Sequence, residues 1–389
     1  MKFYTSIFTS ILYFVCMTIV AQTDSTKTPW MEMNGYIKDI QSTYFIQKID
    51  SNASMNLIHN RLNFKFIISP KISGRMEIRN RIFYGEQIKL IPNFGKTINQ
   101  YNGLFNLSHL WIDEKSFVAH SVIDRILIQY GDEKWDIKIG RQRINWGINN
   151  IWNPNDIFNA YNFLDFDYEE RPGNDAIRIQ RNLENNSVLE FAYKPGKNKD
   201  EHTVAFLYKF NKWKYDFQLL GGIYKSDYVL GGGWAGNIKE AGFKGELSYF
   251  IPKRNTLKTS ETVSFSIMVD QTFKNDWYIS LAGLYNSNPT NFFAANGSFY
   301  NSNLSAKLLF PFRYNFYTTV MKTISPIASW NFSFIYSPEK NTLILVPTYA
   351  WNVATNFDLD FTAQSFFSEQ NNSYQNPLTQ IYIRGRWSF

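Results

Sequence analysis

The feature that most constrains this chain is a two-residue period sustained over unusually long runs. Leu62, Phe64 and Phe66 alternate with Arg61, Asn63 and Lys65, and Met76, Ile78 and Ile82 alternate with Arg75, Glu77, Arg79 and Arg81. In the middle, Phe243, Leu247, Tyr249 and Ile251 alternate with Lys244, Glu246 and Ser248. At the end, Ile381, Ile383, Gly385, Trp387 and Phe389 alternate with Gln380, Tyr382, Arg384, Arg386 and Ser388. Such a period sends successive side chains to opposite faces of a strand. Many runs reach about 9–12 residues, which a tilted membrane strand requires. Strands of a soluble sandwich, the competing all-β reading, average about 5–6.

Composition separates these readings. A mean hydropathy of −0.32 excludes a helical membrane protein. Aromatic residues make up 18% of the chain, with 24 Tyr and 11 Trp, as expected where aromatic girdles mark two lipid–water interfaces. The N-terminus has a basic Lys2, an uncharged apolar run from Ile7 to Val20 and a small Ala21, the pattern of a secretory signal. Cleavage after residue 21 removes Cys16, the one cysteine, so no disulfide is expected. Val15 stands where a lipoprotein signal has a small residue, which argues against lipidation at Cys16. The net charge of +7 is mild and unclustered, so nucleic acid is not an expected partner.

The expected organisation is a signal peptide at 1–21, a short tail at 22–33 and a single antiparallel transmembrane β-barrel at 34–389. Short polar turns at 69–73, 131–134, 183–186, 274–276, 325–326 and 352–356 alternate with longer connections near 85–120, 145–173, 252–261, 288–312 and 368–377. These give about 18 strands, or 16 without the hairpin at 227–242, and 18 strands enclose an aqueous channel unless something fills it. The glycines of LGGGWAGN, residues 230–237, lack the Gly-Lys-Ser/Thr of a phosphate loop and read as a place where lumen side chains give way.

The inward face is rich in arginine: Arg61, Arg75, Arg79, Arg81, Arg125, Arg178, Arg384 and Arg386. Barrel closure brings Arg384 and Arg386 round to the first strand, near Arg61. Guanidinium groups in a ladder favour anions. Glu77, Asp136, Glu246, Asp358 and Asp360 also face inward, so a wall of paired charges that only keeps the lining polar and rigid stays open beside an anion-biased or cation-biased path.

Between two strands lies GRQRINWGINNIWNPNDIFN, residues 140–159, followed by YNFLDFDYEERPG, residues 161–173. The segment is too aromatic to be disordered and too charged to lie on lipid. The expectation is a loop folded into the barrel mouth, with Arg141, Arg143 and Arg171 facing Asp156, Asp165, Asp167 and Glu170 across a constriction. The alternative is that Trp146, Trp152 and the Asn-Pro-Asn-Asp turn only brace the loop.

Residues 121–180, from IDRILIQYGDEKWDIKIGRQRINWGINNIWNPNDIFN to FDYEERPGNDAIRI, resemble a porin-like outer-membrane family common in Bacteroidota. They are more loosely similar to alginate-export-type porins, in which a Gly-Arg-Gln near a strand end precedes a long inward loop. The resemblance implies a monomeric barrel in a Gram-negative outer membrane that passes small solutes without a cofactor. Its partners would be lipid, lipopolysaccharide and the barrel-assembly machinery, whose insertion signal a terminal aromatic such as Phe389 resembles. It supplies no substrate.

Two other classes compete. A barrel hydrolase would use His59 with Ser51 or Ser54; none of the four histidines (His59, His109, His120, His202) has metal-ligand spacing. A non-conducting receptor or adhesin would use the long loops, including Phe292, Phe293, Phe299 and Tyr300.

Overall fold

The computed structural model describes residues 29–47, 51–99, 103–160, 173–254, 260–290, 304–370 and 373–389. The expected signal peptide lies outside them. So does most of the expected tail, whose last residues, 31–33, already belong to the first strand.

Among the described residues there are nineteen strands: β1 Met31–Ile46, β2 Ser51–Ser69, β3 Ile72–Tyr84, β4 Ser108–Glu114, β5 Phe117–Gly131, β6 Trp135–Gln142, β7 Asn174–Asn182, β8 Val188–Lys194, β9 Thr203–Lys212, β10 Tyr215–Tyr224, β11 Asp227–Ile238, β12 Ala241–Pro252, β13 Thr262–Phe273, β14 Trp277–Asn286, β15 Tyr314–Ser325, β16 Ala328–Ser337, β17 Thr342–Ala354, β18 Phe357–Gln370 and β19 Ser373–Ser388. Eighteen of them close one antiparallel ring. β1 pairs with β2 on one side and with β19 on the other, so the ring has no free edge. β4 is the extra strand. It pairs with residues 117–122 of β5, beyond the stretch that pairs with β6. The hairpin at 227–242 is present as β11 and the start of β12. Of the 368–377 connection, expected to be long, residues 368–370 belong to β18 and residues 373–377 to β19.

One end of the barrel is made of short turns. There Asp132 folds the β5–β6 link by accepting the Tyr130 hydroxyl at 2.7 Å and the Trp135 and Lys134 amides at 2.8 and 2.9 Å. These hydrogen bonds, the Tyr130 one first, hold its carboxyl below the usual carboxylate range. The other end carries the long connections. Two short helices, α1 Glu86–Leu90 and α2 Phe94–Ile98, lie in the link before β4. No helix among the described residues is long and apolar enough to cross a membrane.

The outer face is apolar over most of the ring, with Ile139, Ile177, Leu189, Phe206, Leu219, Leu230, Leu247, Leu281 and Phe316 exposed. Trp135, Trp234, Trp277, Trp330, Trp351 and Trp387 occupy outward positions near the short turns. Phe45, Phe117, Tyr228, Tyr314, Tyr336 and Tyr374 lie exposed towards the loop end. Two aromatic rows around an apolar band are what a lipid bilayer selects. At the seam, Phe389 and Gly35 exchange backbone hydrogen bonds of 2.9 Å. A side chain at Gly35 would collide with the Arg61 carbonyl and touch the Phe389 ring.

Candidate functional site

The inner face is polar, and at the loop end it is not empty. Near the end of β6, Gly140, with a φ of 122° and no Cβ, lets the strand pass the Ile126 carbonyl. Residues 143–159 then turn into the barrel and lie along the inner face of β8–β13.

That wall holds the loop through a buried carboxylate. Glu246 of β12 is fully buried; its Oε1 accepts the amides of Ile148 at 2.5 Å and Asn149 at 2.7 Å, and its Oε2 accepts Asn155 at 3.0 Å. Ser248 donates to the Pro154 carbonyl at 2.9 Å, and Ser266 of β13 donates to the Trp152 carbonyl at 2.8 Å. Gln218 of β10 donates to the Trp146 carbonyl at 2.9 Å, and the Trp146 indole donates to Glu190 of β8 at 2.6 Å. The glycines of β11 make room. A Cβ at Gly231 would sit 2.8 Å from Asn155 Oδ1, and one at Gly233 would sit 2.8 Å from the Ile148 side chain. The LGGGWAGN run is therefore the groove that receives the loop.

Two further segments join it. Trp152 packs edge-on to Phe310 and Tyr317, with ring centroids 6.1 and 6.3 Å away. Ile88 and Phe94 of the two helices reach the inner face beside Phe83 and Val118. The loop end thus contains a dry apolar core made by the 86–98, 143–159 and 304–312 segments.

The wall of β1, β2, β3 and β5 is different. A one-residue bulge in β5 leaves Asp124 without a partner in the β3 register and turns it inward together with Arg125. Asp124 receives Arg61 at 2.7 Å and Arg79 at 2.9 Å. Glu77 receives Arg61, Arg125 at 3.3 Å and Arg75 at 3.6 Å. Arg81 lies 3.5 Å from His120 Nδ1. Five guanidinium groups therefore surround two carboxylates. Arg61 is fully buried, whereas the Arg75 side chain is 46% exposed, so the charge opens towards the short-turn end.

The remaining sequence candidates fall as follows. Arg386 stacks 4.4 Å from the Tyr36 ring, beside Arg61 in the β1–β2 register; Arg384 pairs with Asp360 at 2.8 Å. Arg178 joins Glu190 at 2.8 Å and Asp136 at 3.1 Å. Arg141 is buried and held by Asp175 at 2.8 Å, the Ile123 carbonyl at 2.9 Å and the Phe105 carbonyl at 2.5 Å. It locks strand to loop. Arg143 is half-buried and Asp156 fully buried within the loop. Asp165, Asp167, Glu170 and Arg171 lie outside the described residues, as do Phe292, Phe293, Phe299 and Tyr300.

Glu246 was legible as an inward acid but not as an anchor, because alternation gives the face and not the partner. Asp124 was missed because the bulge shifts the phase. For the hydrolase reading, Ser54 and His59 are five residues apart on β2, which places their side chains on opposite faces. His59 is buried, with Nε2 3.4 Å from the Tyr36 hydroxyl. Among the described residues, no group of three or more His, Cys, Asp or Glu is placed to hold a metal.

No family model and no curated protein matches the chain. Solved structures do match in shape. OccAB4 of Acinetobacter baumannii aligns over 94% of this chain and 100% of its own, with a TM-score of 0.60 and 8% identity. OccK5 (OpdH) of Pseudomonas aeruginosa aligns over 92% and 98%, with a TM-score of 0.58 and 7% identity. The outer membrane protein OprD of Pseudomonas aeruginosa aligns over 92% and 93%, with a TM-score of 0.57 and 8% identity. The fold is a porin-like barrel of 18 strands. At such identities the likeness carries the fold and no residue roles.

Proposed function

We propose that this protein is a channel of a Gram-negative outer membrane that passes small polar solutes, with the 140–173 loop as its constriction. The reading rests on one observation: a loop folded inside a closed barrel and tied to the inner face of β12 by Glu246. A segment tied there narrows the lumen without sealing the wall. The short turns would face the periplasm and the long connections the outside. Lipopolysaccharide and the assembly machinery are the partners this placement implies. The likeness of residues 121–180 to Bacteroidota porins, and the looser one to alginate-export porins, rests on those residues alone.

The solute bias we assign is anionic. The five guanidinium groups on β2, β3 and β5 exceed the two carboxylates among them, and such an excess concentrates anions at a pore entrance. Arg143 and Arg171 remain candidates for selectivity, whereas Arg141 reads as a brace.

Planar-bilayer recording tests both parts. Discrete conductance steps with a reversal potential shifted towards anions in a salt gradient are expected. A correctly folded barrel that stays silent would instead favour the non-conducting surface protein, which the apolar filling of the loop end also fits.

A further inference from the structure

The outer face is apolar wherever it meets lipid except along one side. On β6 to β16 the outward positions between the aromatic rows are filled by residues such as Ile139, Ile177, Leu219, Leu247, Leu281 and Phe334. On β1, β2, β3 and β5 the same band holds Asp39, Gln41, Asn56, Asn60, Asn80 and Ser121. Their outward direction follows from the register. Asp39 pairs with Ile58 and Gly385, on the face of exposed Ile58, Ile381 and Ile383. The intervening Lys38, Ile40 and Ser42 are buried inside.

These groups form a ladder. The Trp111 indole donates to Ser121 at 2.8 Å, Ser121 to Asn80 at 2.7 Å, and Asn80 to Asn60 at 3.1 Å. Beside it, Gln41 Nε2 donates to both Asp39 oxygens at 2.9 Å and to the Tyr84 hydroxyl at 3.1 Å. Hydrocarbon offers no donor or acceptor to the outward remainder of these groups. The side thus carries a polar row, set among Ile58, Ile78 and Ile82, where the rest of the ring is apolar.

We propose that this side is an in-membrane docking surface for a second copy of this chain, in place of the monomer that the family resemblance implies. The chemistry selects a copy. Asparagine and glutamine amides both donate and accept, so a patch of them is self-complementary, as a two-fold interface requires. The carboxylate of Asp39 would accept amide donors from the partner's patch. A cation-bearing partner would instead call for an acidic patch, and Asp39 is the one acid in this band of β1, β2, β3 and β5.

The experiment uses the full chain in native outer membranes. Asn56→Cys, Asn60→Cys and Asn80→Cys are made singly, with Leu247→Cys on the far wall as control, and treated with a thiol cross-linker. Each barrel's folding is read from its heat-dependent gel mobility. At least one asparagine variant should cross-link to twice the chain mass, the control should not, and native mass spectrometry should give two chains. The double variant Asn60→Leu/Asn80→Leu should fold and conduct as the parent does while its mass falls to one chain. One-chain mass with no cross-link in folded barrels overturns the proposal, and so does cross-linking only to a different protein. Loss of conductance in the parent would count against the channel reading and leave this one standing.

Discussion

The two walls of this barrel solve the problem of an inward polar face in opposite ways. The wall of β8–β13 fills itself with the chain's own loop and ties that loop's backbone to the Glu246 carboxylate. The wall of β2, β3 and β5 keeps long charged side chains and satisfies them against one another across strands. On the proposed function, one wall would set how wide the lumen is and the other what charge it presents. A buried acid therefore has a different meaning on each side: Glu246 holds backbone, Asp124 holds arginine.

Four substitutions break or sharpen this contrast. The largest effect is expected for Asp124→Ala, which leaves Arg61 and Arg79 buried without their shared carboxylate. Stripping one partner from a buried ion pair costs about 3–5 kcal/mol. The unfolding midpoint in denaturant should fall accordingly, and the pore should become more anion-selective at nearly constant conductance. Glu246→Ala comes next. The freed loop lets water reach most of its three orphaned amides, so the cost is about 1–3 kcal/mol, that of one amide left dry. Here conductance should rise several-fold while the reversal potential barely moves; equal conductance gains in both variants would erase the division between the walls. Gly231→Leu overpacks the loop groove, for about 1–3 kcal/mol. It should raise protease sensitivity within 143–159, and a loop as resistant as the parent's would show that the groove is not its seat. Ser266→Ala removes one anchor to the Trp152 carbonyl and should cost about 0.5–1.5 kcal/mol, read by the same unfolding assay.

The alternation in the sequence reached far into the fold. The strand expected at 174–182 is β7 residue for residue, and that at 262–273 is β13. Period two is enforced by lipid on one face, so it is written into each strand independently of the rest. β4 escaped because it is short and sits inside a loop, where no lipid imposes the pattern. The inward loop was legible from its mixture of aromatics and charge, but its contacts were not. Arg141 illustrates the limit: its position at the strand end suggested a pore-facing charge, while its actual partner, Asp175, lies across the β6–β7 pair. The polar stripe on the outer face was present in the letters of β1 to β3. Alternation alone does not show it, because only the register puts its members in one row.

The anchoring of the loop also has a consequence in time. Its amides find their acceptor 91 to 98 residues further along the chain, and Trp152 finds Ser266 after 114. When the loop emerges, the wall that will hold it has not yet been made. The aromatic segment must wait, exposed, until six more strands have entered the sheet, and ordering of the pore interior becomes one of the later events of assembly.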